Sequence, residues 1–225
     1  MKYSTIELIS KLVSLGVYPR EWYRVLPLGY YQWSPTIVNS GLINLRALDH
    51  EVSTGVVANS AATAFTYLSA LERLGIAGFR TVDYDRELII RADILRWRAD
   101  AEAVARLQIK RTNVEGALAD KGIGIRLDNY TLVGESYDTA LGTVALGTLT
   151  VDASHRLMIH HHPGEKDAWY LDGEIVGEQT DPTMIPSGVS NMSNFMVHSI
   201  INGATGGVNA VFRLSDVWII QKVTD

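Results

Sequence analysis

Three consecutive histidines, His160, His161 and His162, are the residue types in this 225-residue chain that most readily hold a metal. Zinc takes three or four nitrogen, sulfur or oxygen ligands. The stretch RLMIHHHP (156–163) alternates as a strand does, which places Leu157, Ile159 and His161 on one face and Met158, His160 and His162 on the other. Neighbouring histidines of a strand therefore cannot converge on one ion. His160 and His162 form the one pair that can, with His198 of FMVHSII (195–201) as a third ligand from elsewhere. That set is short of a complete site, so the sequence predicts no metal and no cofactor. The plainer expectation is a strand that ends in polar residues and enters a Pro163-Gly164 turn.

Other chemistries are weaker still. A Ser-His-Asp arrangement can be drawn through His50 or His155, but no serine has the nucleophile-elbow surroundings such a site uses. The glycines of GATGG (203–207) lie between two strand-like segments instead of opening a helix, which argues against a phosphate loop. The chain has no cysteine, which excludes disulfides and thiolate chemistry. Its 20 Lys and Arg are scattered and outnumbered by 25 Asp and Glu, so no basic footprint for nucleic acid exists. Glu7, Ser10 and Lys11 interrupt the first apolar run, and no cleaved signal is expected. No apolar window has the length a membrane-spanning helix needs.

The elements that would position any site are mostly strands. STIELISKLVSLG (4–16) is the exception: Ser4 and Glu7 form a capping box, and Ile6, Ile9, Leu12 and Val13 recur at helical spacing. Residues 1–20 are therefore read as a short helical arm, and 21–225 as one domain. Segment 60–75 mixes helical and strand signals and stays open. From residue 80 the period becomes two. Leu88, Ile90, Ala92 and Ile94 share a face, as do Ala105, Leu107 and Ile109 against Arg106, Gln108 and Lys110, and then Ile123, Ile125 and Leu127. Asp128-Asn129 predicts a hairpin turn into YTLVGE, strands follow at 143–151, 195–201 and 211–223, and the Asp172-Gly173 pair in WYLDGEIV predicts a type I′ hairpin.

The order of these motifs resembles a known pattern. Residues 123–188, with RLMI followed by WYLDGEIVG and a polar turn, resemble the core of the concanavalin A-like lectin/glucanase superfamily. The resemblance implies an all-β fold, a jelly-roll sandwich of two antiparallel sheets, with the N-terminal helix as an addition. Glycosidases of that superfamily carry two carboxylates on a strand face, in a pattern like Glu-x-Asp-x-x-Glu. The nearest match is VDYDRE, whose Asp83, Asp85 and Glu87 would share a strand face. It begins with Asp instead of Glu and precedes the matching strands, so a solvated strand face is the expectation. Glu174 and Glu178 of the hairpin are expected to face water. Sugar stacking needs exposed aromatics: Trp22, Tyr23, Tyr30, Tyr31 and Trp33 are the densest group, with Trp97 and Trp169 on predicted strands. Core or subunit contact is their alternative use. The Asp/Asn-rich metal loop of plant lectins has no clear counterpart here.

These readings rank a non-catalytic structural or adhesive β-sandwich first. It resembles capsid-decoration or fibre-head proteins of a virion surface, with other virion or assembly proteins as partners and a homo-oligomeric state. A carbohydrate-binding module is the second reading. A glycoside hydrolase or polysaccharide lyase with a degenerate carboxylate motif is the third.

Overall fold

The computed structural model describes residues 23–27, 34–38, 41–46, 51–58, 64–69, 81–99, 103–110, 121–128, 130–150, 153–191, 194–201 and 208–222. The helix expected over 4–16 lies outside these residues, as do Trp22, Tyr30, Tyr31, Trp33 and His50. Among the described residues, no helix is long and apolar enough to cross a membrane.

Every described element is a strand. They are β1 (Tyr23–Pro27), β2 (Ser34–Val38), β3 (Gly41–Arg46), β4 (Glu51–Ala58), β5 (Ala64–Ser69), β6 (Thr81–Asp83), β7 (Leu88–Ala99), β8 (Ala103–Lys110) and β9 (Gly122–Asp128). After them come β10 (Thr131–Tyr137), β11 (Leu141–Thr148), β12 (His155–His162), β13 (Lys166–Leu171), β14 (Glu174–Gln179), β15 (Val189–Asn191), β16 (Asn194–Ile201) and β17 (Val208–Lys222). An eight-stranded sheet runs β14-β13-β12-β7-β17-β4-β3, with β1 also pairing to β17. A seven-stranded sheet runs β11-β10-β9-β8-β16-β5-β2, and β15 and β6 form a short ribbon. All of these pairings are antiparallel. The segment with mixed signals contributes β5.

Register explains why alternation was readable. Ala92 and Ile90 of β7 align with Leu157 and Ile159 of β12, and together with Leu88 and Ile94 they are buried between the sheets. From the other sheet Ala105, Leu107 and Ile109 align with Leu127, Ile125 and Ile123, all fully buried. Each such Leu or Ile contributes about 1.5–3 kcal/mol by leaving water. The turns follow local chemistry. Asp172 and Gly173 both take positive φ, 54° and 92°, as a type I′ hairpin requires. Asp128 pairs with Thr131 across the turn expected there, and Tyr130 carries a φ of 71°.

Trp169 shows how closely the sheets approach. It is fully buried, its indole N–H donates to the Gly124 carbonyl at 2.9 Å, and its ring lies against Gly134. A Cβ on Gly134 would stand 2.6 Å from that ring, so only glycine fits. Beside it a polar chain crosses the core. The His161 Nε2–H donates to the Tyr84 carbonyl at 2.7 Å, and His161 Nδ1 lies 2.6 Å from Asp167 Oδ1. Ser136 Oγ is 2.6 Å from both Asp167 Oδ2 and the Met184 carbonyl. Ser136, His161 and Asp167 are all fully buried. The aspartate stands between serine and histidine with no solvent access, so this is a tie between sheets and not a hydrolytic triad.

Candidate functional site

The outward face of the seven-stranded sheet holds a cluster of polar residues. On β8 they are Arg106 and Gln108, on β9 Arg126, and on β10 Glu135. Register brings them together: Gln108 aligns with Gly124 and Gly124 with Glu135, while Arg106 aligns with Arg126 in the next outward row. Gly124 is what lets Gln108 reach across β9, because a Cβ there would stand 2.7 Å from Gln108 Cγ. Through that gap the Gln108 amide donates to Glu135 Oε2 at 2.7 Å.

Two guanidiniums flank the same carboxylate. Arg106 Nε lies 3.6 Å from Glu135 Oε2, and Arg126 Nε lies 3.5 Å from Oε1. These are ion pairs but not hydrogen bonds, which close to about 2.7–2.9 Å for charged partners. Arg106 Nε, Arg126 Nε and Glu135 Oε1 are all buried and have no hydrogen-bond partner. Buried polar atoms normally find one. Burial pushes the Arg106 guanidinium below its ordinary value; Glu135 opposes that drop and Arg126 adds to it. The Glu135 side chain is fully buried, while that of Arg126 is 29% exposed and gives the cluster an edge in solvent. On the neighbouring strands, position 198 pairs with Arg106 and position 67 with 198, so His198 and Tyr67 continue this row in register.

Chemically this is a polar-binding arrangement, with two cations around one carboxylate and an amide. It is not a two-carboxylate hydrolytic pair. Asp128, also outward on β9, lies four residues from the Gly124 row, or about 13 Å along the strand. Retaining and inverting glycosidases hold their carboxyls at about 5–5.5 Å and about 6.5–9.5 Å.

The carboxylates singled out from sequence are not together on a strand. Asp83 closes β6, Asp85 lies in a turn, and Glu87 precedes β7. The reason is local: Asp83 accepts from the Asp85 backbone N–H at 3.1 Å and pairs with Arg86 at 3.0 Å, which bends the chain where alternation predicted a strand. Asp85 accepts from the Gly188 N–H at 2.7 Å, and Glu87 bonds His160 at 2.6 Å. The histidines are separated too. Positions 160 and 162 face outward from the eight-stranded sheet, whereas His198 belongs to β16 of the other sheet, where it pairs with Arg106. Among the described residues, no group of three or more His, Asp or Glu side chains is placed to hold a metal ion.

Trp169 is a core residue, Trp97 lies on β7, and Tyr23 opens β1. Glu178 pairs with Lys166 at 2.5 Å, and Glu174 is exposed. His155 Nδ1 lies 2.7 Å from Asp172 Oδ2 and fastens the hairpin to β12.

No protein-family model matches the chain, and no curated protein matches its sequence. Solved structures do match. A protein of unknown function from Shewanella oneidensis MR-1 superposes with a TM-score of 0.59 at 12% identity, over 99% of this chain and 95% of that one. A β-1,3-1,4-glucanase (lichenase) from a mouse hindgut metagenome gives 0.56 at 17% identity, over 89% and 98%. Alginate lyase A1-II′, of polysaccharide lyase family 7, gives 0.55 at 9% identity, over 77% and 81%. The fold is concanavalin A-like. The implied jelly roll is correct for the described strands.

Proposed function

We propose that the protein is a non-catalytic, glycan-binding concanavalin A-like module that grips a polysaccharide on the outward face of its seven-stranded sheet. The supporting observation is the Arg106–Gln108–Arg126–Glu135 cluster. Three of its buried charged atoms lack hydrogen-bond partners, and Arg126 reaches solvent, so a sugar hydroxyl or carboxylate at this edge would complete it. The kinship in fold with an alginate lyase and a lichenase favours a polysaccharide as the ligand. The distance between Glu135 and Asp128 favours binding over hydrolysis. A virion surface, with assembly proteins and further copies of the chain as neighbours, is the setting we propose from the sequence. The aromatic stretch at 22–33 is proposed as an additional contact.

Binding calorimetry against alginate and mixed-linkage β-glucan oligosaccharides tests this, with product analysis alongside. Binding without product, weakened at least about tenfold by Arg126→Ala, is the expected result. No binding to either class would remove the glycan reading. Product formation abolished by Glu135→Gln would convert the module into an enzyme.

A further inference from the structure

The outward face of the eight-stranded sheet carries a second cluster, independent of the glycan contact. Leu88 aligns with His161, so Glu87 stands opposite His162 and diagonal to His160. His160 Nε2 and Glu87 Oε1 are 2.6 Å apart. The His160 and His162 rings lie 3.7 Å apart between centroids, tilted by 39°. The His160 side chain is 5% exposed, and its Nδ1 is buried with no hydrogen-bond partner. The other charged groups acting on the cluster are Lys222 of β17, whose backbone N–H donates to the Glu87 carbonyl, and Lys166 with Glu165 at the turn. Lys166 is itself engaged by Glu178.

We propose that Glu87, His160 and His162 form an acid-sensitive latch that fastens the end of β12 and its Pro163-Gly164 turn to the start of β7 at neutral pH and loosens on mild acidification. One proton between His160 and Glu87 is well placed. A further proton on His162 puts positive charge on a ring 3.7 Å from its neighbour. Burial pushes the His162 imidazole below its ordinary value, the His160 charge adds to this, and Glu87 opposes it. The folded latch therefore takes that proton less readily than the open chain. Its contribution is complete above about pH 6.5 and is lost as pH falls through the lower folded value. Glu87 acts in the same direction at lower pH. Its hydrogen bond to His160 holds the carboxyl below the usual value against burial, so its stabilisation is lost as acid protonates it.

The test is amide hydrogen exchange in the full chain at about pH 7.5 and about pH 5, corrected for intrinsic rates. Protection of residues 158–166 is expected to fall about five- to tenfold more than that of β9 and β10, and His162→Gln is expected to abolish this excess. An equal loss throughout the molecule overturns the latch, as does an excess that survives in His162→Gln. Should that variant fail to fold, Glu87→Gln removes the charge that favours the His162 proton. It is expected to deepen the loss at about pH 5, and an unchanged profile overturns the proposal.

Discussion

The Ser136–Asp167–His161 chain and the Arg106–Gln108–Arg126–Glu135 cluster are built from the same kinds of polar group, yet they differ in how completely those groups are satisfied. In the first, the contacts measure 2.6–2.7 Å and the chain ends on the Tyr84 and Met184 carbonyls. In the second, one contact measures 2.7 Å, two ion pairs are stretched to 3.5–3.6 Å, and three buried atoms have no hydrogen-bond partner. A buried network that is closed fixes the fold, whereas one left open costs stability unless something else completes it. The contrast separates a structural tie from the cluster we propose as a binding site.

The largest expected effect lies in the closed network. Asp167→Ala strips His161 and Ser136 of their shared partner inside the core, and should cost about 3–5 kcal/mol in urea unfolding. A loss under about 1 kcal/mol would show that the closed chain does not hold the sheets, and the comparison would collapse. Next comes Gly134→Ala, which forces a methyl into the Trp169 ring at 2.6 Å. Overpacking of this kind costs about 1–3 kcal/mol, seen as a lowered Tm. Because Gly134 is on the inner face beside Ser136, this variant tests sheet contact without touching the polar chain.

Much of the closed side was legible in the sequence, and little of the open side was. Alternation placed Leu88, Leu107, Ile125 and Ile159 on inner faces because a strand facing a core has a strict period of two. It also put His161 with Leu157 and Ile159. The remaining clue was that a histidine on an apolar face needs a partner, and Asp167 lies six residues on, across the Pro163-Gly164 turn. The open cluster gave no such signal. Arg106 and Gln108 read as water-facing residues opposite an apolar face, and nothing along the chain ties them to Glu135, 27 residues beyond Gln108. Only the register of β8, β9 and β10 assembles them, with Gly124 as the gap. Asp83, Asp85 and Glu87 failed the opposite way: their spacing fitted a strand, but Asp83 uses its carboxylate to make a turn.

The open cluster should respond in function more than in stability. Arg126→Ala removes a side chain that is 29% exposed and makes one stretched ion pair, so unfolding should change by no more than about 1 kcal/mol. Glycan binding should fall at least about tenfold in the same protein, read by calorimetry. A large stability loss with unchanged binding would place Arg126 with the structural tie instead.

The smallest effect sharpens the comparison at the surface, in the hairpin that first marked the fold. Burial pushes the Asp172 carboxyl up, but the hydrogen bonds from His155 and the Arg156 backbone outweigh it, and the net shift is downward. Asp172 is thus a closed site like Asp167, with partners at 2.7 Å and 2.8 Å, but its side chain is 55% exposed. Solvent screening should reduce the worth of its ion pair to about 0.2–1 kcal/mol. Its stabilisation should be complete above the ordinary aspartate range and lost as pH falls through the depressed value. His155→Ala measured near neutral pH should therefore lose a few tenths of a kcal/mol, and less as pH falls through that depressed value. A cost near that of Asp167→Ala would mean that hydrogen-bond closure, and not burial, sets the energy of these carboxylates.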